Sequence, residues 1–311
     1  EMTKDLAGVF AILTTVLLMA ITDALIKVFM GDVSLWQLFL TRSPFALVLL
    51  LAIAAVLPGR GIGSALASMR DPWVLLRSFI VILMYLFMYM SFPYLHLAVM
   101  GAAVLIAPIF TALMSALLLR DRVGVRGWFG VALGFIGVLM ISRPGSDVFQ
   151  PAIVLPVIAG LCYSMTAVLT RAKLQHVNTI GVALSLNTIL LIFSGVLVLA
   201  LTFVPPPEAW VEQFPFMLRA WAPMTRPEWG IIVIMAALTC GITVLLTLAY
   251  QIGQTVVIAT LEYSYLIFAG VIGFLFLGEV LDGFSLLGMM ILTGAGILVA
   301  TRPKAAPRSD P

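Results

Sequence analysis

Long apolar runs separated by short polar breaks recur ten times along the chain, at 6–30, 33–57, 73–92, 96–119, 124–142, 151–172, 178–204, 228–251, 254–277 and 283–301. About 20 mainly apolar residues carry a helix across the hydrocarbon core of a bilayer. The pattern therefore predicts an all-α integral membrane protein with ten transmembrane helices. The first run is too long for a signal-peptide core, carries Asp23 and is followed by no small-residue cleavage pattern, so it is expected to stay in the mature protein. Most connections are too short for a separate soluble domain. The exception, 205–227, opens with Pro205-Pro206-Pro207 and mixes Trp210, Phe214, Phe216 and Trp221 with a few charges. That composition suits a segment lying on the membrane surface, with a substrate lid as the alternative.

Composition sharpens the picture. Of the 311 residues, 62% are hydrophobic and 10% charged, against roughly 45–50% and about 25% in an average soluble domain. A soluble enzyme, a secreted disulfide scaffold and a disordered chain are excluded, because water could not hide so much apolar surface. Cys162 and Cys240 both fall inside apolar runs, where cysteine acts as a small hydrophobe. The net charge of +3 comes from basic residues in the short loops, where it encodes topology rather than nucleic-acid binding. Eleven loop Lys and Arg lie on the side of the N-terminus and three on the other. Both termini are thus expected in the cytoplasm.

The chain also repeats itself. Asp71-Pro72-Trp73 and Pro227-Glu228-Trp229 introduce spans three and eight at an offset of 156, which Tyr94 and Tyr250 keep. Leu118-Leu119-Arg120-Asp121 meets Phe276-Leu277-Gly278-Glu279, and Lys27 falls opposite Arg171. This divides the chain into residues 1–146, residues 147–303 and a cytoplasmic tail, 304–311. Five helices per half is an odd number, so the second half enters the bilayer upside down. Inverted repeats of this kind place a substrate site near the midplane and permit alternating access.

Ten spans, two five-helix halves, and Leu277-Gly278-Glu279 before a Gly-rich last helix resemble the EamA branch of the drug/metabolite transporter superfamily. Within it, the chain is most similar to amino-acid exporters of the YddG type. The resemblance implies an inner-membrane exporter of amino acids and related metabolites. The first half departs from the family pattern, with Arg120-Asp121-Arg122 where Gly-Glu-Arg is more usual.

Ionisable residues inside spans are functional candidates because they are costly to keep there. Asp23 and Lys27 lie four apart on one face of span one, and Arg42 is at a similar depth on span two. They are expected to cluster, either as a structural ion pair or with Arg42 or Lys27 gripping a substrate carboxylate. Glu262, in Glu262-Tyr263-Ser264-Tyr265, has no basic neighbour in sequence. It is a proton carrier, a partner for a substrate ammonium, or a neutral hydrogen-bond partner of the tyrosines. Arg77 lies four residues after Trp73 and is expected to snorkel to the interface. Tyr85, Tyr89, Tyr163 and Tyr265 are candidate walls of a substrate cavity, with helix packing as the alternative. Pro108 is a candidate kink in span four. Glycines such as Gly134 and Gly288 permit close packing, through pairing of the terminal helices or a homodimer contact.

No catalytic or metal-binding motif and no cofactor site is present in the sequence, which argues against an enzyme. The expected function is export of amino acids and related small amphipathic metabolites by alternating access. The partners are a small-molecule substrate and the lipid bilayer, with no nucleic acid. The alternatives are a drug, metabolite or nucleotide-sugar carrier of the same superfamily, a channel, or an intramembrane enzyme.

Overall fold

A computed structural model of the protein describes residues 2–29, 33–56, 61–107, 109–110, 114, 125–142, 150–174, 177–252 and 261–300. Its longer helices are Met2–Phe29 (α1), Leu35–Val56 (α2), Pro72–Met90 (α4), Val125–Ser142 (α6), Val154–Lys173 (α7), Thr179–Phe203 (α8), Arg226–Ile252 (α11), Tyr265–Leu277 (α12) and Gly283–Ala300 (α13). Shorter helices are Ile62–Met69 (α3), Leu97–Val104 (α5), Glu208–Gln213 (α9) and Pro215–Leu218 (α10). Among the described residues, six helices are long and apolar enough to cross a membrane, and three shorter apolar helices lie at Trp128–Ile141, Glu262–Leu277 and Gly283–Ala295. These follow the expected spans closely, while much of the fourth span and the start of the ninth lie outside the described residues.

Local chemistry sets several helix starts. Asp71 caps α4 by accepting from the Trp73 N–H at 2.8 Å, with Pro72 at the first helical position. Asn178 caps α8 in the same way through the Ile180 N–H at 3.0 Å. Span four is interrupted. Its first helix, α5, ends at Val104, and the backbone turns at Leu105 and Ile106. Pro108 lies outside the described residues.

The helices pack in matching pairs. α1 lies along α11 and α12, while α7 lies along α4 and α5. α2 contacts α11, and α8 contacts α4. Further close pairings are α2 with α8, α3 with α8, α5 with α12, and α6 with α13. At the α6–α13 crossing a Cβ on Gly137 would meet the Gly288 carbonyl at 2.9 Å, and one on Gly288 would meet the Gly137 carbonyl at 2.9 Å. Only glycines let these two backbones approach so closely.

The 205–227 segment folds onto the start of α2. The Trp36 indole N–H donates to the Met217 carbonyl at 2.8 Å. Gln37 makes a reciprocal amide pair with Ala222, donating to its carbonyl at 2.6 Å and accepting from its N–H at 2.9 Å. Trp210 and Trp221 remain exposed beside it.

Candidate functional site

Asp23, Arg42, Arg77, Glu262 and the tyrosines Tyr85, Tyr89, Tyr163 and Tyr265 gather in the interior from α1, α2, α4, α7, α12 and the turn before α12. Most polar residues inside these helices satisfy themselves locally. Thr15, Thr22 and Thr41, for example, donate to the carbonyls four residues earlier. The residues that reach between helices stand out against that background.

Arg42 on α2 is only 2% exposed. Its guanidinium lies over the Phe39 ring, 5.1 Å from the centroid, and it hydrogen-bonds the Tyr89 side chain. Its Nε has no hydrogen-bond partner among the described residues. Tyr85 and Tyr89, one turn apart on α4, stack with centroids 5.6 Å apart and planes at 27°. Phe39 completes the cluster at 5.9 Å from Tyr85 and 5.8 Å from Tyr89. Asp23 feels the Arg42 charge and accepts from the Tyr265 hydroxyl at 2.8 Å. Tyr265 sits directly on Gly101, where an added Cβ would fall 2.1 Å from its ring.

A second group adjoins the first through Tyr85, which interacts with both Arg42 and Arg77. Arg77 Nε donates to Thr170 Oγ1 on α7 at 2.9 Å, and the guanidinium also neighbours Tyr163. Tyr163 in turn hydrogen-bonds Glu262. Glu262 is buried at 8% exposure in a 3₁₀ turn, Glu262–Ser264, that leads into α12. Around the break after α5, neighbours satisfy the backbone: the Tyr263 hydroxyl donates to the Leu105 carbonyl at 3.3 Å, and Ser164 Oγ to the Ala107 carbonyl at 2.7 Å. Irregular backbone at membrane depth needs such support.

The structure thus brings together Asp23, Arg42, Tyr85, Tyr89 and Tyr265, and places Tyr163 and Glu262 beside them. Lys27 turns elsewhere: its carboxylate partner is Glu279, just beyond α12, rather than Asp23. Arg77 faces the interior through Thr170 and Tyr163 instead of snorkelling alone. Sequence reasoning left it out because its closeness to Trp73 suggested an interfacial role. Glu279 figures in the sequence only as part of the repeat and of a family signature, since nothing there joins it to a lysine 252 positions earlier.

A separate open cleft of about 330 Å³ lies between the end of α8 and α9, lined by residues including Leu201, Pro205, Glu208 and Glu212. It offers neither a cation nor an aromatic stack, and the interior group is the candidate site.

Residues 6–143 match the EamA-like transporter family. A riboflavin transporter of Rhizobium johnstonii is 26% identical over 198 residues, 64% of this chain and 60% of that protein. The pseudopaline exporter CntI of Pseudomonas aeruginosa is 25% identical over 247 residues, 79% of this chain and 80% of that protein. A solved crystal structure superposes with a TM-score of 0.61 at 18% identity, over 96% of this chain and 97% of the other, and so shares the fold. With its membrane-length helices, the protein is an integral multi-pass membrane protein.

Proposed function

We propose that this protein is an alternating-access membrane transporter of the EamA-like family. We assign it ten transmembrane helices in two inverted five-helix halves, 1–146 and 147–303, with both termini in the cytoplasm. The helix pairings support this arrangement. Exchanging each helix of the first half with its counterpart in the second turns α1 on α11 into α7 on α4, and α1 on α12 into α7 on α5.

The observation that carries the functional reading is Arg42. A guanidinium held in an apolar bundle is costly, about 2.5–3.5 kcal/mol at a helix centre on insertion scales. Here its buried Nε has no partner among the described residues, and it faces a wall of three rings. A substrate carboxylate would complete its hydrogen bonding, and the substrate's apolar part would lie on Tyr85 and Tyr89. Amino acids and related amphipathic metabolites are therefore our leading substrate class. The pseudopaline exporter, matched over 79% of this chain, supports export as the direction. The Tyr85–Tyr89 stack and the riboflavin-transporter relative favour a second reading, in which the substrate is a flat heterocycle.

Purified protein in proteoliposomes, offered labelled amino acids and riboflavin, separates the two. Saturable, competable amino-acid uptake supports the first reading. Uptake of riboflavin alone supports the second, and uptake of neither, with correctly inserted protein, removes both substrate classes.

A further inference from the structure

The end of α1, the start of α5 and the turn after α12 meet at one ion pair. Lys27, in the last turn of α1, pairs with Glu279 and also donates to the Leu95 carbonyl at 2.5 Å. The second oxygen of Glu279 accepts from the Leu97 N–H, the first of α5, at 2.7 Å. The backbone is built to deliver this carboxylate. Gly278 adopts φ +66°, a left-handed conformation that ends α12 without a Cβ penalty. The Glu279 N–H then returns to the Gly273 carbonyl at 3.0 Å. Its carboxylate lies so close over Gly273 that an added Cβ there would sit 2.8 Å from it.

One turn deeper on the same face of α1, Asp23 accepts from Tyr265 of α12, whose ring rests on Gly101 of α5. The same three helices are therefore tied at two levels. The deeper level adjoins the proposed substrate site, because Tyr265 interacts with Tyr89. The upper level consists of helix ends rather than helix middles. Lys27 and Glu279 are 12% and 9% exposed and lie at the end of α1 and just beyond α12, where the apolar helices give way to loops. Parting them breaks one ion pair and two hydrogen bonds to backbone, and leaves each helix's own ladder intact.

Building on the transporter reading, we propose that the Lys27–Glu279 junction is the bolt of one mouth of the transport path. Intact, it seals the side on which α1 ends. It parts whenever the Arg42 site opens to that side.

The test uses a full-length C162A/C240A background, which removes both cysteines of the chain, with Y89C as reporter below the bolt. In proteoliposomes, a membrane-impermeant maleimide is added from the side on which α1 ends. E279Q should raise labelling at least about fivefold, the low end of couplings between two conformational states. The charge swap K27E/E279K should bring it back toward the parent. Labelling unchanged by E279Q overturns the proposal. In a second arm, K27C/E279C is bridged by a short bis-methanethiosulfonate and assayed for amino-acid and riboflavin uptake. Uptake that stops on bridging and returns on reduction supports the bolt, and uptake indifferent to bridging overturns it. Labelling that responds as stated while the parent protein carries neither amino acids nor riboflavin leaves the bolt standing and removes both substrate classes instead.

Discussion

The Tyr265 hydroxyl donates to Asp23 Oδ2 at 2.8 Å, joining the first residue of α12 to the interior of α1. Asp23 also feels Arg42 across the helix gap, so one carboxylate links a tyrosine that supports the substrate wall to the cation proposed to bind substrate. A hydrogen bond to a charged group is worth about 1.5–3 kcal/mol. D23N and Y265F should each slow uptake by about tenfold, the equivalent of about 1.4 kcal/mol. If the two side chains act as a unit, the double variant should be no slower than the worse single one. Strict additivity in the initial rates would show that they act apart.

Arg42 presents a planar fork, and lysine cannot reproduce it. R42K should therefore raise KM for a carboxylate substrate by about tenfold or more, since losing one charge-assisted bond costs on the order of 1.5–3 kcal/mol. The matched comparison is the amide analogue of the same substrate, which R42K should affect little. Equal losses for acid and amide would mean that Arg42 does not read the carboxylate.

Much of this arrangement was legible in the sequence. The apolar runs located α1, α2, α4, α7, α8 and α11 to within a few residues, because lipid demands long uninterrupted apolar stretches. Asp23, Arg42, Glu262 and the tyrosines stand out in sequence on the same ground, since a polar residue in lipid needs a reason to be there, and the fold brings them close together. What could not be read was pairing. The sequence places Lys27 in a cluster with Asp23 and Arg42, because it shares a helix face with Asp23, yet Glu279 reaches it through a turn at Gly278 that only the fold reveals. The bond of Arg77 to Thr170 was out of reach for a similar reason: depth along a helix is visible in sequence, while the direction of a side chain is not. α3 was also unexpected. It is a short helix held where Gly181 of α8 meets its backbone, and a Cβ on that glycine would fall 2.5 Å from the Ala65 carbonyl.

Gln37 fastens the outer segment to α2 through two bonds to Ala222. At about 1 kcal/mol per net hydrogen bond, Q37A should raise the population of a loosened segment by about tenfold or more. Limited trypsin digestion reports this directly, as faster cleavage after Arg219. An unchanged cleavage rate would show that Trp36 and its bond to Met217 hold the segment alone.

The crossing of α6 and α13 depends on the contact between Gly137 and Gly288. G288L places a side chain against the Gly137 carbonyl and the Ile141 side chain, which already lie 2.9 Å and 2.7 Å from an added Cβ. Overpacking of this kind typically costs about 1–3 kcal/mol. The variant should lower the thermal unfolding midpoint in detergent, whereas G294A, with nothing within 4 Å of its Cβ, should leave it in place. A midpoint insensitive to G288L would mean that the two helices separate freely.

Glu262 offers the sharpest choice between a coupling and a structural role. It is buried in the 3₁₀ turn before α12 and hydrogen-bonds Tyr163, itself beside Arg77. If Glu262 carries a proton through the transport cycle, E262Q should transport at a rate that no longer changes with pH, and an imposed proton gradient should no longer drive accumulation. If it only orients Tyr163, E262Q should keep the parent's pH profile, because glutamine preserves a hydrogen-bonding partner for the phenol. Y163F then supplies the control, since it removes that bond while leaving the carboxyl in place. A flattened profile in E262Q but not in Y163F assigns proton coupling to the carboxyl itself. Parallel losses in both variants, with the profile intact, assign the pair to the wall of the site.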